Sequence, residues 1–134
     1  MRIPSARKMP MVLRSALLAL LVPPMVRTLP LPRVLSILRR KARNCESPLD
    51  AEELVRIAHA SVRVGPHFGV GGCLLRSIIL YNLLRSAAYK PILLIGGRLC
   101  EGQLDCHCWI ELDGTSLCES NDPRKQFKLL YTFV

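Results

Sequence analysis

The sequence predicts an α+β domain, and three observations carry the prediction. Apolar residues recur at helical spacing through the first two thirds of the chain; after Pro91 the pattern becomes β-rich and alternating; and Asp113-Gly114 separates two such runs as a hairpin turn would. With helices first and strands after, the sheet should be small and antiparallel, carrying the N-terminal helices and a central helix. At 134 residues, 50% hydrophobic, the chain is long enough for one core.

The elements follow in order. Residues 1–46 read as a basic, apolar helical segment and residues 47–134 as the second unit. Within the first, two helical pieces are expected, at about 10–22 and 31–43, because Pro23-Pro24 withholds two donors and Leu-Pro-Leu-Pro (29–32) makes a second break. The apolar stretch 15–26, SALLALLVPPMV, has twelve residues, fewer than the about twenty of a bilayer span. No small-residue cleavage site follows it, so export is not expected.

In SPLDAEELVRIAHASV (47–62), Ser47 is placed to cap, Pro48 occupies the first helical position, and Asp50, Glu52 and Glu53 gather at the positive end. Leu54, Ile57, Ala58 and Val62 form the buried stripe, with His59 read as a core or rim histidine. The glycine-rich loop VGPHFGVGG (64–72) lacks the Lys and Ser/Thr of a phosphate-binding loop. Its glycines, Gly72 included, let backbone approach a substrate. From Cys73 the chain is apolar nearly all round to Ala88, the mark of a central buried helix, and Pro91 stops it.

Charge and cysteine usage exclude several classes. Residues 1–44 hold ten Lys or Arg and no acid, while residues 45–134 hold nine against ten. Nucleic acid is not the expected partner, because no aromatic residue is interleaved with those cations. An anionic membrane surface or a protein partner fits them better. The six cysteines (45, 73, 100, 106, 108, 118) come without an export signal, so free thiols in a reducing cytoplasm are expected.

The chemistry concentrates at Cys73 and His107. A cysteine in the first turn of a buried helix meets unpaired N–H groups and the helix dipole, which favour a thiolate and could hold an oxyanion. Such a nucleophile needs a base and an orienting partner. In CHCWIEL (106–112), a period of two puts His107, Trp109 and Glu111 on one face and Cys106, Cys108, Ile110 and Leu112 on the other. The flanking cysteines then point away from His107, which argues against zinc and leaves no metal site expected.

Three ordered motifs carry a resemblance: Cys73-Leu74-Leu75-Arg76-Ser77, Ile95-Gly96-Gly97-Arg98 and His107-Cys108-Trp109-Ile110-Glu111. They resemble the Cys-Leu-x-Arg-Ser, Ile-Gly-x-Arg and His-Ala-Trp-x-Glu motifs of the transglutaminase-like cysteine protease that matures lasso peptides, the B protein of those pathways. The resemblance covers about residues 48–134. Cys108 stands where that family has alanine, a change expected to be tolerated because its side chain faces away from the site, and the loop before Cys73 is richer in glycine, with His67 in it.

The resemblance implies a transglutaminase-like, papain-like fold and a Cys73–His107–acid triad for leader-peptide hydrolysis. Arg76, Trp109 and Gly72 are candidate substrate contacts. The acid is Glu119 or Asp122. A strict two-residue turn at Asp113-Gly114 would bring even-numbered residues, Asp122 among them, to the face of His107, and a three-residue loop would bring Glu119. The family's acid, usually an aspartate, falls at the position of Glu119, which ranks it first and Asp122 second.

Also implied are a lasso precursor as substrate, a small leader-recognition protein acting in trans, and a cyclase that uses ATP; the chain itself needs no cofactor. A transglutaminase-like acyltransferase and a non-catalytic, thiol-rich metal- or partner-binding protein are the alternatives. The location expected is the cytoplasm, with peripheral membrane contact through residues 1–44.

Overall fold

A computed structural model describes residues 9–41, 50–64, 72–117, 119 and 121–134. Four helices, α1 (Met9–Thr28), α2 (Leu31–Lys41), α3 (Ala51–Val64) and α4 (Gly72–Ser86), precede strands β1 (Ile92–Cys100), β2 (Gln103–Leu112) and β3 (Thr115–Leu117). A short helix, α5 (Pro123–Gln126), leads into β4 (Lys128–Phe133). The sheet runs β3-β2-β1-β4 with every neighbouring pair antiparallel, and α4 packs across β2, so the architecture is α+β as the pattern of periods requires.

The break expected at Pro23-Pro24 does not occur: α1 continues through both prolines to Thr28. Each proline in a helix interior costs about 3 kcal/mol through a lost N–H bond and a ring clash. Burial opposes that cost here, since Met11, Leu18, Ala19, Val22 and Pro23 are packed away from water on one side of the helix. The hydroxyl of Thr28 donates to the Pro24 carbonyl at 2.9 Å, closing the last turn. At 20 residues and a mean hydropathy of 1.7 over its best window, α1 therefore has the length and apolarity of a membrane-crossing helix, which the twelve-residue reading denied it, although 33% of that window is buried inside the protein.

α2 starts at Leu31 after Pro30, whose carbonyl accepts from the amides of Arg33 and Val34. Residues 42 and 43, expected as its last turn, lie outside the described residues, as do the proposed cap Ser47 and Pro48. The observed cap of α3 is Asp50, whose Oδ1 accepts from the Glu53 amide at 2.9 Å. Leu54, Ala58 and Val62 are buried as expected, with Ile57 packed beside them, but His59 is exposed.

α4 is the centre of the core. Leu75, Ile78, Ile79, Leu80, Tyr81, Leu83 and Leu84 are all at most 2% exposed, so the helix is enclosed on every side. A polar link ties the N-terminal helices to it. Asn82, itself 1% exposed, donates through Nδ2 to the Leu38 carbonyl at 3.0 Å and accepts from Arg14 Nε at 2.9 Å. Asn82→Ala removes both contacts and leaves a buried carbonyl without this partner, so it should cost about 1–3 kcal/mol in urea unfolding. A loss below a few tenths would mean that the link contributes nothing.

Below α4 the sheet alternates. Leu93, Cys108 and Ile110 join the helical core, with Ile95, Leu112, Tyr131 and Phe133 packed against it. Trp109 and Leu94 are buried on the opposite side. β4 carries a bulge at Leu130, the unpaired extra residue opposite the Ile95–Gly96 step of β1.

Candidate active site

Cys73 is the second residue of α4, half-buried and with its thiol free. Its position leaves the first-turn N–H groups without intrahelical acceptors. One turn on, Ser77 is buried and donates through Oγ to the Cys108 carbonyl at 3.1 Å, fixing the start of the helix on the middle of β2. His107 is the neighbour of that anchored residue.

His107 belongs to the odd-numbered face of β2 and pairs with Gly96 of β1. Its Nε2 lies 2.7 Å from Glu119 Oε1. The same carboxylate oxygen is 3.7 Å from a guanidinium nitrogen of Arg76, one turn after Cys73. Helix and strand are thus joined through one acid: Arg76 from α4, His107 from β2 and Glu119 between them. Among the described residues, no hydrogen bond links Cys73 to His107 directly. Asp122 is not at the ring, and its Oδ1 accepts from the Arg124 amide at 3.1 Å as the cap of α5.

Strand parity alone pointed the other way. Asp113 (φ 51°) and Gly114 (φ 80°) form a strict two-residue turn that pairs Leu112 with Thr115, the register expected to bring Asp122 to the histidine. Glu119 reaches it nonetheless, because β3 has three residues and its pairing ends at Leu117 opposite Ile110. Past that point no ladder fixes which way a side chain faces. Cys118, like Cys45, His67 and the rest of loop 65–71, lies outside the described residues.

Aromatic rings hold the imidazole. The ring of Phe127 stacks on His107 at 5.2 Å between centroids and Trp109 at 6.0 Å, while Arg98 lies over the Phe127 ring at 4.6 Å. Trp109 is 1% exposed, so it supports the histidine from inside and does not line a substrate surface. Gly96 makes room for this arrangement: a Cβ there would fall 2.7 Å from Phe127 Cβ and 3.0 Å from the Trp109 ring. An open cleft of about 200 Å³ lies beside His107 and Glu119, lined also by Asn121, Pro123, Gln126 and Phe127. Gly72 is exposed at the tip of α4, where its backbone is accessible.

Phe127 and Arg124 were not singled out in the sequence. The signal was present, since Asp122-Pro123 is a capping residue followed by proline and KLLYTF (128–133) is β-rich, so Phe127 had to fall at a helix-to-strand junction.

Cys108 lies on the face where strand parity places it. Its side chain faces away from His107 into the helical core, beneath the start of α4 where Ser77 bonds its carbonyl. Burial pushes the Cys108 thiol up to about 12, so at neutral pH it stays protonated. Because Cys108 and His107 occupy opposite faces, the two cannot ligate one ion from a regular strand. Among the described residues, no three His, Cys, Asp or Glu side chains converge on a point.

Farther along β2, Arg124 donates to both carboxylate oxygens of Glu111, at 2.6 and 3.0 Å, and the Trp109 indole donates to one of them at 3.3 Å. The Arg124 hydrogen bonds hold the Glu111 carboxyl below its usual range, against the opposing effect of burial. A depressed folded value contributes stability above the unfolded pKa of about 4.3 and loses it as pH falls through the folded one. Glu111→Gln should therefore cost about 1–2 kcal/mol at pH 7, the low end because the Arg124 side chain is half-exposed. The gap between variant and parent should close below pH 4 in urea titrations, and a gap independent of pH would show that the ion pair is not its source.

The Transglutaminase-like superfamily model matches residues 18–132, from the middle of α1 into β4. No curated protein and no solved structure matches the chain.

Proposed function

The chain belongs to the transglutaminase-like superfamily, which includes cysteine peptidases and acyltransferases, and from that premise we propose that it is a cysteine peptidase removing the leader from a ribosomally made lasso precursor. The observation that carries the reading is the 2.7 Å contact of His107 Nε2 with Glu119, whose carboxylate also faces Arg76 on the helix that begins at Cys73. The three motifs support its specificity by interlocking. Ser77 anchors β2, Arg76 meets the acid, Gly96 admits the rings of Trp109 and Phe127, and Arg98 covers Phe127.

Roles follow from atoms. A carboxylate only accepts, so with Glu119 ionised the hydrogen of the neutral imidazole sits on Nε2 and Nδ1 is the basic nitrogen. Nδ1 takes the proton of the Cys73 thiol, and the thiolate attacks the scissile carbonyl carbon. N–H groups of the first turn of α4 hold the oxyanion. Collapse of the tetrahedral adduct breaks the C–N bond, with the imidazolium giving its proton to the departing amine of the core peptide. Water, deprotonated by His107, then attacks the thioester, releasing the leader carboxylate and the Cys73 thiol.

The partners in this reading are the precursor, a leader-recognition protein in trans, and an ATP-dependent cyclase that uses the freed α-amino group. The chain needs no cofactor of its own, and its place is the cytoplasm. Mass spectrometry of the precursor incubated with the chain and the recognition protein, with and without a primary amine, tests it. Two hydrolytic fragments with a free α-amine on the core are expected. Incorporation of the amine at the acyl carbon would instead make the chain an acyltransferase, and no Cys73-dependent product would make it a binding protein.

A further inference from the structure

α1 is apolar on every side, yet one side of it is uncovered. Met11, Leu18, Ala19 and Val22 are buried where the helix packs on α3 and α4, whereas Leu13, Leu17, Leu20 and Leu21 are 62, 56, 55 and 47% exposed. Spacings of three and four place these leucines with Met9 and Pro24 in a single stripe along the helix, opposite the packed face. A surface helix of a water-soluble domain ordinarily turns a polar face outward, and a contiguous apolar stripe marks a contact surface.

Charge indicates what the contact is. All ten charged residues of the first 44 are cations, whereas the remaining 90 residues nearly balance, with nine cations against ten acids. Arg27 at the end of α1 and Arg33 at the start of α2 are exposed, and Arg2, Arg7 and Lys8 precede α1 in the sequence. A leucine face within a wholly cationic segment complements an anionic lipid surface, where apolar side chains enter the boundary between headgroups and acyl chains and cations meet phosphates.

We propose that the exposed leucine face of α1 docks the protein on anionic lipid, with the helix lying in the surface and the domain remaining in water. A spanning orientation would withdraw Met11, Leu18 and Val22 from the core, and would part Ser15 from Ser61 (2.6 Å) and Arg14 from Asn82 (2.9 Å). Docking is independent of the peptidase reading, and its test needs no substrate.

Flotation of the full chain with vesicles of phosphatidylcholine alone, or mixed with phosphatidylglycerol, reads the interaction. Binding to the anionic mixture only is expected, weakened by high salt and released by alkaline wash. Leu17→Glu/Leu20→Glu should lower partitioning at least about tenfold, and Arg27→Gln/Arg33→Gln several-fold, with thermal unfolding unchanged. Leu17→Ser/Leu20→Ser serves as a milder variant should the glutamates lower the melting temperature. Several results would overturn the proposal: no binding to the anionic mixture, binding insensitive to the leucine changes, retention through the alkaline wash as for a spanning helix, or a lipid-free dimer that the leucine changes dissolve.

Discussion

Cys73→Ala is expected to abolish leader cleavage, lowering kcat at least about 10³-fold, as removing a triad nucleophile does elsewhere. The loss should be chemical and not structural. Cys73 lies at the start of α4, half-buried, and makes no hydrogen bond through its thiol among the described residues, while the anchoring of that helix comes from Ser77 four residues on. Alanine is the better helix former and removes one sulfur atom from the edge of the core, so unfolding in urea should change by no more than about 1 kcal/mol. Binding of the precursor should persist, because the first-turn N–H groups and the cleft beside His107 remain. Retained turnover in this variant would remove the thiol from the mechanism and leave the arrangement around Glu119 as ordinary packing.

The expectations that held are those set by local period. β2 was legible to the residue: Cys108 and Ile110 face the helices and Trp109 faces the other way, because alternation follows from the backbone alone. α4 was legible as a central helix, since a run apolar on all sides must be enclosed. Where tertiary contacts outweigh local rules, the pattern was blind. Pro23-Pro24 should have ended a helix, but packing of the residues around it holds the helix together. Asp50 caps α3. Glu119 meets His107 although the turn was the two-residue kind, because parity extends only as far as the ladder, and the ladder stops at Leu117. Phe127 escaped notice for a related reason, as its contact with His107 depends on β4 pairing with β1 and not on any neighbour in sequence.

The largest effect after loss of the thiol should come from Glu119→Gln, with kcat falling about 10²–10⁴-fold, whereas Asp122→Asn should leave turnover unchanged. Glutamine keeps the size of the side chain but withdraws the charge that the imidazolium needs while it waits to protonate the leaving amine. It also offers an N–H₂ group to Nε2, which would put the ring hydrogen on Nδ1 and leave no base facing the thiol. Asparagine at 122, by contrast, caps α5 as well as aspartate does. Arg76 gives a further check on the same carboxylate, 3.7 Å from its guanidinium. Arg76→Gln should lower kcat on its own, yet add little to Glu119→Gln, because two changes that act through one group are not additive. Additive losses would place Arg76 on the substrate and not on the acid, and a loss confined to Asp122→Asn would require the acid to be reassigned.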